Sequence, residues 1–150
     1  MASPFPFTSG QVLTAAQLNS IGEVTAFTPS WTNFTPGNAT ESWHYVQMNE
    51  WLFFAGATTL GSTSSVTGSF RFAIPVGSQV SDDIVIAGSG YLNQGGTYAL
   101  SHMDVTSGNL RWLVSTAGGT NVSIGTISAT SPWTWGTGDV IRGTGAVLIS

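Results

Sequence analysis

Residues 41–59 read ESWHYVQMNEWLFFAGATT, and their pattern indicates the fold class of the chain. In an extended strand successive side chains point to opposite faces, so every second residue shares a face. The first half of the stretch alternates in this way, with Trp43, Tyr45 and Gln47 on one face and His44, Val46 and Met48 on the other. The Asn49-Glu50 pair supplies a short connection, and an apolar run then returns, so the stretch predicts a β-hairpin.

Similar stretches, separated by turn residues, continue to the end of the chain. TGSFRFAIPV at 67–76 places Phe70, Phe72 and Ile74 on one face, and Gly95-Gly96 indicates a further hairpin turn. Eight or nine short strands at this spacing predict an all-β fold, an antiparallel β-sandwich of jelly-roll-like type. Glycines inside the predicted strands indicate bulges, strong curvature or close sheet packing: Gly56, Gly88, Gly90, Gly125, Gly143 and Gly145.

The composition of the 150 residues excludes several classes of protein. Only 7% of residues are charged, lysine is absent and the formal net charge is −4, so we expect neither a nucleic-acid partner nor attraction to an anionic membrane. The 41% hydrophobic content argues against disorder. Without cysteine there are no disulfides and no thiolate metal sites. No membrane-length apolar run or secretory signal is visible, which predicts synthesis in a cytoplasm.

The only convincing helix signal lies in PFTSGQVLTAAQLNSIG, residues 6–22. Thr14 is a suitable N-cap with Gln17 three residues later, and Gly22 can end the helix. A helix of about two turns is marginal alone in water, so its apolar side chains need a partner surface. We therefore predict an attachment arm at 1–22, an extended linker at 23–40 and a β-sandwich domain at 41–150. The predicted attachment residues are Phe5, Phe7, Val12, Leu13, Leu18 and Ile21.

Residues for catalysis or metal binding are scarce. All seven acidic residues fall at predicted strand ends or turns, where acids serve solubility and turn formation. His102 and Asp104 share a strand face, but Ser101 points to the opposite face, and no nucleophile-elbow motif is present. His44 and His102 would need a third ligand to bind a metal. The sequence therefore predicts no catalytic residue, no metal site and no cofactor.

The aromatic loop near the C-terminus has two interpretations. Trp133 and Trp135 lie among small polar residues, where exposed rings can stack on sugars or form the centre of an interface. The same rings could instead fold over the end of the sandwich. In the first interpretation, Asn93 is a further candidate for ligand contact.

The opening stretch, FTSGQVLTAAQLNSIG, resembles an N-terminal motif of tailed-bacteriophage virion proteins. That motif reads Phe-Thr-x-Gly-x-x-Leu-Thr-Ala-x-x-Leu-Asn, and the residues here that carry the likeness are Phe7, Gly10, Leu13, Thr14, Ala15, Leu18 and Asn19. The following residues, 29–76, are similar to the start of β-domains on such proteins, with a Gly-Asn-x-Thr turn and a Tyr-bearing hairpin. The resemblance covers roughly residues 5–76 of the chain.

The resemblance implies a non-enzymatic virion component, often trimeric, anchored through its N-terminus on the exterior of the phage particle. The first expectation is a capsid decoration (cement) protein or a short fibre, whose partners are its own copies and the major capsid protein or another virion protein. The alternative is a tail-associated receptor-binding module that uses Trp133, Trp135 and Asn93 to hold a host surface glycan. The resemblance leaves capsid and tail locations equally open.

Overall fold

The computed structural model describes residues 22–76, 88–118 and 121–149, together with residues 10, 12, 14 and 15. Ten β-strands lie within these ranges. They are β1 (Thr25–Phe27), β2 (Trp31–Thr35), β3 (Thr40–Met48), β4 (Trp51–Thr59), β5 (Ser65–Ala73), β6 (Gly88–Gln94), β7 (Thr97–Thr106), β8 (Asn109–Gly118), β9 (Asn121–Thr126) and β10 (Val140–Leu148).

The strands form one antiparallel sheet in the order β1-β3-β4-β10-β6-β7-β8-β5-β2, with β9 paired to β8. The sheet curls into a half-barrel, which confirms the predicted all-β, sandwich-like fold. Its two end strands, β1 and β2, are consecutive in the chain and are separated only by residues 28–30. This short connection brings the ends together, so that Phe27 of β1 packs against Phe72 of β5 with ring centroids 5.8 Å apart.

The hairpin predicted from residues 41–59 is present as β3 and β4. Its register runs from Thr40 opposite Thr59 to Met48 opposite Trp51. Asn49 takes the left-handed conformation that the turn requires, with φ 55°. Asparagine tolerates this conformation better than most residues do, which explains a tight turn without glycine.

The core between the two halves of the curled sheet is largely aromatic. Trp43, Phe70, Phe72 and Trp112 are all at most 1% exposed. Trp31 packs among them, with its ring centroid 5.1 Å from that of Phe72 and 5.7 Å from that of Trp112. Edge-to-face and tilted ring pairs at such distances add to the free energy of apolar burial.

Three glycines lie directly opposite one another across the middle of the sheet. Gly143 of β10 pairs with Gly56 of β4 on one side and with Gly90 of β6 on the other. A Cβ atom on Gly56 would lie 2.4 Å from the ring of Trp43, and one on Gly143 would lie 3.0 Å from the ring of Trp112. This confirms the prediction of close sheet packing for these glycines, which we call the glycine row.

The structure corrects the predicted linker at 23–40. These residues hold β1 and β2, which pair with β3 and β5 respectively, so the β-domain begins near residue 25. The polar Thr/Asn composition suggested an extended connection, but Phe27, Trp31 and Phe34 pack into or against the core. Burial of these aromatic side chains stabilises the two strands, although the Pro, Asn and Gly residues among them are disfavoured in strands.

Most of the predicted N-terminal arm lies outside the described residues. This holds for Phe5, Phe7, Leu13, Leu18 and Ile21, whose predicted attachment role stays a prediction. Of the described positions, Ala15 is helical and the side chain of Val12 is 85% exposed.

Replacing Gly56 with alanine is expected to destabilise the fold by about 1–3 kcal/mol, the usual cost of overpacking a close-packed core. The new methyl group would meet the Trp43 ring at 2.4 Å and the Ser42 carbonyl oxygen at 2.6 Å. Urea unfolding followed by tryptophan fluorescence measures the loss. Gly136→Ala is the matched control, because a Cβ there has no neighbour within 4 Å. Equal stability of the two variants would contradict the packing role of the glycine row.

Candidate functional site

An open groove of about 750 Å³ lies on the face of the sheet opposite the aromatic core. It crosses five adjacent strands, β3, β4, β10, β6 and β7. It is lined by Ser42, His44, Ala55, Gly56, Ala57, Ser89, Gly90, Tyr91, Leu100, Ser101, His102, Arg142, Gly143 and Thr144. We call it the outer groove.

The outer groove follows from the sizes of side chains that lie opposite one another in the sheet. One row across the strands runs His44, Ala55, Thr144, Ser89 and His102. Small side chains thus occupy the central strands, and a histidine stands at each end. The neighbouring row runs Ser42, Ala57, Arg142, Tyr91 and Leu100, so its small residues lie toward β3 and its large ones toward β7.

Arg142 is the arginine among the described residues that line the outer groove, and it brings a positive charge to that surface. Its guanidinium carbon lies 5.4 Å from the ring centroid of Tyr91, within the range of a cation–π contact. The Tyr91 ring in turn makes an edge contact with Tyr98, with centroids 5.6 Å apart. Within the described ranges, no carboxylate lies within ion-pairing distance of Arg142.

Arg111, on β8, differs from Arg142 because it forms an ion pair with Asp104. Its Nε donates to Asp104 Oδ1 at 3.0 Å, and a second guanidinium nitrogen donates to Oδ2 of the same carboxylate. These hydrogen bonds, together with the attraction of the charges, raise the pKa of Arg111, although desolvation by burial partly opposes them. Asp104 is therefore committed to Arg111 and is not available to Arg142 or His102.

The serine, histidine and aspartate considered for hydrolysis do not form a triad. Ser101 is only 3% exposed, whereas His102 is exposed on the opposite face, as the period of two predicts. His102 Nε2 instead lies 3.2 Å from Ser115 Oγ on β8. The sequence analysis missed this pair because it depends on the register between β7 and β8. The pair lacks the third group that orients the base in a catalytic triad, since Asp104 binds Arg111.

Trp133 and Trp135 both pack partly against the hydrophobic core. The Trp135 ring makes an edge contact with Phe70, with centroids 5.4 Å apart, and its Nε1 donates to the Ser128 carbonyl oxygen at 3.0 Å. Trp133 stacks at a tilt on Trp135, 5.8 Å away. This arrangement matches the interpretation in which the loop folds over the end of the barrel.

Asn93 lies near this loop but serves its own turn. Its Oδ1 accepts a hydrogen bond from the Gly96 amide at 3.3 Å, across the connection between β6 and β7. The next residue, Gln94, donates to the Thr134 carbonyl oxygen at 2.9 Å and to Asp139 Oδ2 at 3.1 Å. Gln94, rather than Asn93, therefore connects β6 to the loop that carries Trp133 and Trp135, which we call the tryptophan loop.

Exposed apolar side chains lie on β7 and on β9, both of which pair with β8. Tyr98 and Leu100 are 64% and 72% exposed, and Val122 and Ile124 are 75% and 58% exposed. Ile124 pairs with Ser115 of β8, and Tyr98 and Leu100 alternate with buried residues on β7, so all four face away from the core. We call these four residues the β7–β9 patch. Their strands were predicted from the sequence, but their exposure was not.

The described acidic residues within the barrel have structural partners. Asp139 is 3% exposed, and its Oδ2 accepts from the Gly136 amide at 2.8 Å. Glu41 accepts from Trp31 Nε1 at 2.6 Å and from Thr58 Oγ1 at 3.3 Å. Across the described part of the chain, no three His, Cys, Asp or Glu side chains converge on a point where a metal could bind. The same residues include no helix of the length and apolarity needed to span a membrane.

Comparison with protein-family models, with curated proteins and with solved structures found no match to this chain. The function is therefore argued from the residues and surfaces of the molecule.

Trp135→Ala is expected to lower the free energy of unfolding by about 2 kcal/mol, less than the loss for a fully buried tryptophan because the ring is only partly covered. Urea unfolding measures this change. Val24→Ala truncates an apolar side chain that is 64% exposed and lies outside the β7–β9 patch, so it serves as the control with little expected change in stability. If Trp135→Ala left the stability unchanged, the loop would not be part of the packed end of the barrel.

Proposed function

We propose that the chain is a non-enzymatic structural subunit of a tailed-phage virion, a capsid decoration protein or a short fibre. In this proposal the β-domain associates with copies of itself, as a trimer, on the exterior of the particle. The N-terminal arm binds the major capsid protein or another virion protein. The β7–β9 patch is the observation that supports an assembly role most directly.

The β7–β9 patch has the properties of a surface that another protein covers. Large apolar side chains exposed on one face of a folded domain favour an interaction site, and four of them lie here on two strands of the sheet. Among the described strands, β9 pairs only with β8, and its Val122 and Ile124 side chains are exposed. A second copy offers a surface of the same apolar character, and the low charge content keeps repulsion between copies weak.

The proposed arm is uncharged apart from its terminus, since residues 1–22 contain no Asp, Glu, Lys or Arg. Attachment would therefore depend on burial of its apolar side chains, each contributing about 1.5–3 kcal/mol when fully covered. The Val12 side chain is 85% exposed, so the described part of the chain buries little of it. Three arms on one trimer would bind with higher avidity than a single arm.

A tail-associated receptor-binding module is the second candidate. The observation that favours it is the outer groove, because an open site with few charges suits a carbohydrate better than it suits a packed protein partner. Copy number distinguishes the two candidates. A decoration protein is expected among the most abundant bands of purified virions, whereas a tail-tip protein is expected in only a few copies per particle.

The double variant Val122→Asp, Ile124→Asp is expected to shift the protein from trimer to monomer, because it places charges in an apolar interface. Sedimentation velocity at several protein concentrations measures the assembly state. Thr67→Asp adds a charge at an exposed position of β5 and should leave the assembly intact. A wild-type protein that sediments only as a monomer would contradict self-association through this patch.

Deleting residues 1–22 is expected to leave a folded β-domain that no longer binds particles, because the strands and core described lie within residues 25–149. Circular dichroism tests the folding, and co-sedimentation with particles that lack the protein tests the binding. Retained binding by the folded truncated protein would overturn the attachment role of the arm.

A further inference from the structure

We infer that the outer groove binds an acidic oligosaccharide, with Arg142 recognising a carboxylate on one of its sugar rings. This inference rests on the second candidate function, carbohydrate binding at the outer groove, and names the class of carbohydrate; it does not depend on self-association. It assigns a ligand class to a surface that is distinct from the tryptophan loop.

The charge distribution favours an anionic group at this position. The chain carries a net charge of −4, yet the described residues that line the outer groove include Arg142 and two histidines and no acidic residue. Arg111, which lies on the same face, already binds Asp104. The structure gives the guanidinium of Arg142 no hydrogen-bond or ion-pair partner among the described residues, and an arginine can hold a carboxylate through two parallel hydrogen bonds.

The contact with Tyr91 prepares Arg142 for this role. Stacking of the guanidinium over the ring at 5.4 Å limits the positions that the long side chain can adopt. A donor group that is already held in place loses less conformational entropy when a ligand binds. A single guanidinium also matches the single charge of a carboxylate better than it matches a doubly charged phosphate.

The remaining lining suits the hydroxyl groups and apolar ring faces of sugars. Ser42, Ser89 and Thr144 offer hydroxyls that can both donate and accept hydrogen bonds. The short side chains of Ala55 and Ala57 form part of the base of the outer groove and leave room above it for a sugar ring. Leu100 offers an exposed apolar surface at one end. The volume of about 750 Å³, spread over five strands, suits an extended ligand of several rings rather than a small ion.

The arm of a neighbouring copy is a poorer match for the outer groove. Residues 1–22 contain no carboxylate side chain, so they offer Arg142 no partner and would bury its charge uncompensated. A peptide spanning residues 1–22 nevertheless provides a direct test of this alternative.

The test measures binding by isothermal titration calorimetry with two acidic probes, a galacturonic acid tetramer and a sialylated lactose. A galactose tetramer and lactose are their neutral counterparts, and sodium acetate reports the carboxylate alone. We expect at least one acidic oligosaccharide to bind, with both neutral sugars and acetate at least about tenfold weaker. Raising the salt concentration should weaken the binding, because it screens the charge of an exposed arginine.

Two variants locate the site. Arg142→Gln should weaken the acidic probe at least about tenfold, since it removes a charge-assisted contact. Ala55→Phe fills the floor of the outer groove with a residue favoured in strands, and it should weaken binding as well. Arg71→Gln makes the same chemical change on β5, on the same face but outside the groove lining, and it should leave the affinity unchanged. Unaltered melting temperatures for Arg142→Gln and Ala55→Phe exclude loss of folding as the cause.

Several results would overturn the inference. These are the absence of binding to both acidic probes, equal binding of the neutral sugars, or acetate binding as tightly as the oligosaccharide. Unchanged affinity in Arg142→Gln or Ala55→Phe would place the ligand elsewhere. Direct binding of the peptide of residues 1–22, lost in Ala55→Phe, together with no binding of either acidic sugar, would assign the outer groove to the arm.

Discussion

The packing of two tryptophans against the glycine row is the constraint on which the sheet depends. Trp43 and Trp112 are almost fully buried, and their rings occupy the space that side chains at Gly56 and Gly143 would need. Both indole nitrogens are also satisfied, Trp43 Nε1 by Thr58 Oγ1 at 2.9 Å and Trp112 Nε1 by the Arg142 carbonyl oxygen at 3.1 Å. A register shift of one residue would bring a side chain beneath each ring and break these hydrogen bonds.

The same constraint shapes the outer face of the sheet. Arg142 shows the link most directly, because its carbonyl oxygen accepts from Trp112 in the core while its side chain lies over Tyr91 on the outer face. Large rings occupy the inner face, whereas the outer face at the centre of the sheet carries the small side chains of Ala55, Ser89 and Thr144. The outer surface is therefore low at this point. The outer groove thus results from the way in which the core is packed.

The β7–β9 patch and the outer groove differ in the kind of contact that we propose for them. The β7–β9 patch is apolar, as expected of a surface that another copy covers, whereas the outer groove combines hydroxyl groups with a cation that has no ion-pair partner among the described residues. Leu100 lies at the border of both. A single face of the barrel therefore combines a proposed assembly surface with an inferred ligand site, and the tryptophan loop contributes to the stability of the barrel end.

Local patterns in the sequence were enough to predict the strands, the hairpin at 41–59 and the close packing of Gly56 and Gly143, because alternation and turn chemistry act over a few residues. The placement of β10 between β4 and β6, the strands within 23–40 and the pairing of His102 with Ser115 were decided by the tertiary structure. The rows that form the outer groove combine residues from five strands that are distant in the chain. The sequence alone determined which residues could form strands and which faces they present, but only the closure of the sheet around its aromatic core decided which faces meet.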